Sequence, residues 1–431
     1  MATPPQSPSK KTPSQKPGTI RRFLAGLGPG VVTGAADDDP SGIVTYTIAG
    51  AQLGTSLLWT SLITWPLMSA VQMMCARIGK VTGQGLAGNL KKRFPAWLLY
   101  VFVIALLVAN TINIGADLAG MADAAAMLTG MNSRIFVVLF AGLISWATVR
   151  LRYQQIANTL KWLVLVLLAY PVTAFVVGVD WRLVAHATFV PSMPRSRDEW
   201  SMLVAILGTT ISPYLFFWQA SEEVEEEKAA GQSTLAQRRG ASDQELELRN
   251  IDVGVGAFFS NAVMFFIILT TAITLNRHGL THIETTRQAA EALRPLAGKF
   301  AATLFTLGIV GVGFLAIPTL AGSSAYAFAE TLGWRQGLSR SLKQARWFYA
   351  LILLSTAVGV GLDFAGINPV KALYWTAVIN GLLAPFLLVG ILIVASNRKL
   401  MQGQPSSRLG YAVVGITTVA MFAAGIAMFV V

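Results

Sequence analysis

The 431-residue chain reads as an all-α integral membrane protein with eleven spanning helices, arranged as two five-helix repeats and one added helix. Three observations predict this class. Hydrophobic residues make up 54% of the sequence and charged ones only 13%, a balance that excludes soluble globular and disordered proteins. Eleven stretches reach the roughly 20 apolar residues that a bilayer crossing needs. Two of them, the first and the sixth, carry a proline break at corresponding places in the two halves, which points to an inverted-repeat transporter with its site at the midplane.

In order, the stretches lie near 23–50, 54–76, 97–129, 134–150, 155–178, 200–222, 252–275, 298–329, 345–361, 367–395 and 409–431. Residues 1–20 are rich in Pro, Ser and Lys and lack an apolar run, so they are expected to form a disordered cytoplasmic tail rather than a signal peptide. Residues 21–431 form the transporter domain, with repeat one over about 23–178, repeat two over about 200–395 and the extra helix over about 409–431. A lone cysteine, Cys75, rules out an intrachain disulfide and reads as packing.

A net charge of +12 raises the question of a nucleic-acid partner, and its distribution answers it. With the N-terminus inside, 24 of the 33 Lys and Arg fall in the tail and the cytoplasmic loops and 9 in the outer ones. That asymmetry is the positive-inside signature. The chain is therefore expected in the plasma membrane with its N-terminus cytoplasmic and its C-terminus outside, in contact with membrane lipid and not with nucleic acid. It is expected to act as a monomer.

The first stretch breaks at Asp37, Asp38, Asp39, Pro40, Ser41 and Gly42 and resumes at Ile43. The sixth runs from Leu203 to Ile211, breaks at Ser212-Pro213 and resumes at Tyr214. Proline removes a backbone donor and clashes one turn back, freeing carbonyls that lipid cannot satisfy, so both breaks must face protein or water. Each carboxylate at bilayer depth costs roughly 2.5–3.5 kcal/mol on insertion scales. Three in a row call for a cation, a water-filled cavity or protonation, and a cation site is the simplest account.

With these residues in view, the chain resembles the Nramp family of divalent metal transporters, and more closely its divergent magnesium-type bacterial branch. The similarity runs from Gly28-Pro29-Gly30 to Ser396-Asn397-Arg398-Lys399-Leu400-Met401. The resemblance implies a LeuT-type fold, a transported divalent cation such as Mg2+ or Mn2+, no other cofactor and no enzymatic activity. The family's Asp-Pro-Gly-Asn motif falls on Asp39, Pro40, Ser41 and Gly42, so the metal-binding Asp matches and the ligand Asn is a glycine. The Ala-x-x-Met-Pro-His pattern falls on Thr209 to Tyr214, with Ser212 in place of Met and Tyr214 in place of His. The family's second histidine of that helix falls on Gln219. Asp117-Leu118-Ala119 keeps the third helix's acid, while the following Glu is Gly120.

These matches and replacements imply a metal site built from oxygen donors alone. Asp39 is expected to bind the cation directly or through water, helped by main-chain carbonyls near Ala36 and Thr209 and by the hydroxyls of Thr209 and Ser212, with Asp38 as a further acid. Loss of the thioether hardens the site toward Mg and Mn, and a roomier pocket suits a magnesium ion that keeps part of its water. The three histidines, His186, His278 and His282, all fall in outer loops. Histidine is the side chain suited to carrying protons near neutral pH, so proton coupling is expected to be weak or absent. Asp117, Tyr214 and Gln219 are the candidates for relay or gate, with an ion pair between Asp117 and Arg346 as the structural alternative.

Other polar residues have blander readings. Asn110, Asn113, Asn261 and Asn380 are expected to make interhelical hydrogen bonds, and Asp123 an internal one. The run Glu222, Glu223, Glu225, Glu226 and Glu227 reads as a solvated helix end, or as a field that concentrates divalent ions. Rival functions are weaker. An organic-acid carrier would be repelled by three aspartates, a channel fits broken helices less well than alternating access, and the Gly-x-Gly-Asp signature of intramembrane aspartyl proteases is broken here by Leu362 before Asp363.

Overall fold

The computed structural model describes residues 33–34, 36–151 and 165–431. The first half of the first predicted span and the start of the fifth lie outside the described residues. Among the described residues all regular structure is helical. Twelve main helices carry the architecture: α1 (Pro40–Leu53), α2 (Trp59–Thr82), α3 (Ala96–Thr129), α4 (Ser133–Arg150), α5 (Ala169–Val177), α6 (Arg197–Thr210), α7 (Pro213–Ala229), α8 (Asp243–Thr274), α9 (Ala301–Leu332), α10 (Arg346–Phe364), α11 (Pro369–Ser396) and α12 (Arg408–Val430).

Helix starts follow local chemistry. Ser242 and Glu245 form a reciprocal capping box at the head of α8. Asn132, Ser196, Asn368 and Ser407 each accept a backbone N–H at the starts of α4, α6, α11 and α12. Gly83, Gly130 and Gly333 end α2, α3 and α9 in the left-handed region.

Among the described residues eight segments are long and apolar enough to cross a membrane, with α6 and α7 together forming one of them. The remaining three of the eleven expected spans are the broken first one, the 24-residue α2, which carries Arg77 and Lys80, and the fifth, described from Leu165 onward. Lipid-facing stripes agree with this reading. On α3 the exposed Trp97, Val101, Ile104 and Val108 repeat at helical spacing on one face.

The helices form two groups. α1, α2, α6–α7 and α8 pack together, and α3, α4, α9 and α10 form the second group, with α11 joining α6, α3 and α1. Each repeat thus contributes its first two spans to one group and its next two to the other. Small residues permit the closest approaches. A Cβ on Gly79 of α2 would stand 2.3 Å from the Ala220 carbonyl oxygen of α7, and one on Gly208 of α6 2.0 Å from the Ala377 oxygen of α11.

Candidate metal centre

Both breaks are built alike, with proline at the first helical position of the resumed half. At that position the missing N–H costs nothing and the fixed φ favours the helix. α6 ends where Ile211 leaves helical geometry (φ −117°, ψ 57°), and α7 starts at Pro213 after extended Ser212. α1 starts at Pro40 with Asp39 as its cap.

Asp39 is held from three sides. Its Oδ1 accepts the Ser41 hydroxyl at 2.6 Å and the Gly42 amide at 2.7 Å, and its Oδ2 accepts Nδ2 of Asn113 from α3 at 3.0 Å. The positive end of the α1 dipole adds to this hold. A carboxylate offers about four lone-pair sites. Three are used, so the fixed carboxylate retains capacity for a cation.

Around Asp39 stand three more acids. Ser260 of α8 donates to Oδ2 of Asp37 at 2.5 Å and lies 3.2 Å from Oδ1 of Asp38. A hydroxyl has one hydrogen, so Ser260 serves one of these acids at a time. Asp117 is one turn after Asn113 on the same face of α3, near the Asp39 carboxylate that Asn113 holds. Among the described residues, Oδ1 of Asp37 and both oxygens of Asp117 have no side-chain hydrogen-bond partner. All four acids are at most 3% exposed, and among the described residues none makes an ion pair.

The second break closes over the first. The Tyr214 hydroxyl donates to the Ala36 carbonyl at 3.1 Å, and the Thr209 hydroxyl is 3.1 Å from that of Tyr46. The structure therefore gathers Asp39, Asp38, Asp37, Asp117, Tyr214, Thr209 and the Ala36 carbonyl at one buried level.

The two expected hydroxyl donors are turned elsewhere, that of Thr209 to the Ile206 carbonyl at 2.9 Å. Ser212 points its hydroxyl at the carbonyls of Gly208 and Thr209, both at 2.7 Å, the back-bonding habit of hydroxyls in membrane helices. The Ala36 and Thr209 carbonyls each already accept a hydroxyl. Among the described residues no three His, Cys, Asp or Glu side chains are gathered tightly enough to hold an ion alone.

Gln219 lies apart from this cluster. It donates to Glu223 at 2.9 Å, and the Glu222–Glu227 run is not a simple solvated helix end. Glu223 is fully buried and pairs with Arg249 of α8 at 2.9 Å; Arg249 also binds Asp252 at 2.7 Å and meets Glu226. Lys80 of α2 reaches Glu227 at 3.8 Å. A buried charge needs its partner near, and this network ties α2, α7 and α8 together at that end.

Arg346 stacks over Trp347 and makes no ion pair with Asp117. Asp123 accepts the Thr286 hydroxyl. Asn110 and Asn261 bond across helices as expected, to Leu320, Ser323 and Ser324 and to Thr64 and Met68. In the protease-like segment, Gly359 is packed against Gly115 of α3.

Sequence reasoning missed Ser260 and Tyr46, whose residue types give no signal, and the role of Asn113 as an Asp39 partner. Arg249 was findable: it precedes Asp252 by three residues at the mouth of an apolar span, the spacing of a helical ion pair.

Comparison with known proteins agrees with this geometry. The chain is 26% identical over 393 residues to a protein from Caldanaerobacter subterraneus subsp. tengcongensis named divalent metal cation transporter MntH, covering 89% of this chain and 87% of that one. A protein of the same name from Deinococcus radiodurans is 25% identical over 407 residues, covering 93% and 88%. Among solved structures, the Eremococcus coleocola manganese transporter superposes with a TM-score of 0.73 at 17% identity, over 97% of this chain and 88% of that one. The transporter Mhp1 in its inward-facing conformation superposes at 0.54 and 14% identity, over 93% and 88%. These neighbours give the fold as the LeuT-type inverted repeat. The model of the family described as natural resistance-associated macrophage protein-like matches residues 30–431, and the chain therefore belongs to the Nramp family.

Proposed function

We propose that this protein is a secondary transporter that imports divalent metal cations across the bacterial inner membrane by alternating access, carrying Mg2+ and Mn2+ with weak or no proton coupling. The observation that carries the reading is the buried group of four acids at the paired breaks, with no ion-pair partner among the described residues. Uncompensated charge at this depth is costly, and a doubly charged ion offsets it directly. Asp39 is the primary ligand because α1, Ser41 and Asn113 fix its carboxylate while leaving acceptor capacity. Asp38, Thr209, Ser212 and the Ala36 carbonyl complete an all-oxygen surround once Tyr214 and the Ser212 hydroxyl rotate away from their present partners. Such oxygens suit hard ions, and the spread of the acids suits an ion that keeps part of its water. The N-terminus lies in the cytoplasm and the C-terminus outside, which places the Glu223–Arg249 network on the cytoplasmic side, where it holds the path shut.

A second reading, proton-coupled symport of Mn2+ or Fe2+, is favoured by Asp117, a buried carboxylate near Asp39 that makes no ion pair among the described residues and is a group able to carry a proton. Purified protein in liposomes, loaded with a pH dye and offered Mg2+, Mn2+ or Fe2+, separates the two. Mg2+ and Mn2+ entry without internal acidification supports the first reading. Acidification that tracks metal entry supports the second, and absence of any metal-dependent uptake overturns both.

A further inference from the structure

At the junction of α9 and α10, remote from the metal centre, a crevice of about 310 Å³ is lined by Trp334, Arg335, Lys343, Arg346 and Trp347. Its cations have no acid to balance them: among the described residues Arg335, Lys343 and Arg346 make no ion pair. The two indoles stand 6.1 Å apart at 33°, and the Arg346 guanidinium lies 5.2 Å from the Trp347 ring centre. Tryptophan beside Arg and Lys at a span's end marks headgroup depth.

Further along α10 a second, apolar groove, also of about 310 Å³, lies between α10 and α3. Leu351, Leu354, Val358 and Leu362 form one wall and Leu107 and Val108 the other. On α10 these positions follow Trp347 by 4, 7, 11 and 15 residues, the spacing of a single helix face, so the groove opens on the same face of α10 as the Trp347 end of the crevice. At 1.5 Å per residue, Trp347 stands about 6 Å above the first groove residue. Leu354 and Val358 are exposed in the folded chain.

We propose that this composite surface is a binding site for one anionic phospholipid, its phosphate held by Arg335, Lys343 and Arg346 between the two indoles and an acyl chain laid along the α3–α10 groove. Charge complementarity selects the occupant: three unpaired cations at headgroup depth recognise phosphate, and an adjoining apolar channel at hydrocarbon depth recognises its chain. The inference depends only on the membrane-spanning fold and stands apart from the metal reading.

The test uses the full chain in nanodiscs of phosphatidylcholine doped with phosphatidylglycerol whose acyl chain is brominated, with tryptophan quenching as the readout. Phosphatidylglycerol is expected to quench Trp334 and Trp347 at a mole fraction that brominated phosphatidylcholine does not match, and Trp347→Phe to lose that component. Each of Arg335→Gln, Lys343→Gln and Arg346→Gln is expected to weaken the preference about five-fold, the equivalent of about 1 kcal/mol per cation at a membrane surface. Leu354→Phe, which narrows the groove, leaves the cations in place and adds no indole, is expected to weaken it as well. Equal preference in the triple Gln variant overturns the proposal. Full competition by inorganic phosphate, together with indifference to Leu354→Phe, also overturns it, by showing a simple anion site.

Discussion

Replacing Arg249 with alanine probes the closure of the α2–α7–α8 end. The side chain is largely buried and binds Glu223 at 2.9 Å and Asp252 at 2.7 Å, as well as Glu226. Both Glu223 and Asp252 are fully buried, so the variant leaves two carboxylates in the packed state without this cation. Removing one partner of a buried ion pair costs about 3–5 kcal/mol. That cost falls on the closed arrangement, because opening this end hydrates the acids. At about 1.4 kcal/mol per factor of ten, even the lower figure shifts the closed-to-open ratio by roughly 100-fold. The assay is maleimide labelling of Ser221→Cys, a position on α7 that is 3% exposed, in a Cys75→Ser background. Labelling is expected to be slow with Arg249 present and about two orders of magnitude faster in Arg249→Ala. Unchanged labelling, with an unchanged melting temperature, would refute the claim that the network holds this end shut.

The same geometry sets three further outcomes. Ser260→Ala removes the hydroxyl shared by Asp37 and Asp38, and a lost hydrogen bond to a buried charged group costs about 1–3 kcal/mol; liposome uptake should show a KM changed about ten-fold with less effect on kcat, and Ser260→Thr should restore it. Ser212→Met puts a thioether at the second break and should favour softer metals, read as stronger inhibition of Mn2+ uptake by Cd2+ and weaker Mg2+ uptake. Gly79→Val drives a side chain into the Ala220 carbonyl of α7 and should destabilise the protein by about 1–3 kcal/mol or more, seen as a lower melting temperature in detergent.

Much of this was legible in the chain itself. Span positions follow from apolar runs, and the match of 97–129 to α3 and 409–431 to α12 shows how well hydropathy marks a helix that must satisfy its own backbone in lipid. Both breaks were visible because Pro40 and Pro213 each directly follow a polar residue within an apolar run, whereas Pro66, Pro318 and Pro385, which directly follow apolar ones, lie inside continuous α2, α9 and α11. The placing of Asp39 was legible for the same reason.

The surround was not. Ser260 and Tyr46 sit far apart in the chain, on helices whose rotation about their axes no local pattern sets, and a hydroxyl in a membrane helix ordinarily bonds its own backbone, as Ser212 does. The Glu222–Glu227 run looked solvated because its partners Arg249 and Lys80 lie on α8 and α2, brought there only by packing. Whether Asp117 met a cation or another acid was likewise a question of helix rotation. It faces Asp39.

Diffraction from the protein crystallised with Mn2+, collected at the manganese edge, tests the central claim most directly. The account predicts one anomalous peak in direct or one-water reach of an Asp39 oxygen, roughly 2–4.5 Å away, that disappears in Asp39→Asn. A peak elsewhere in the protein, with Asp39→Asn still transporting at the wild-type rate, would contradict it.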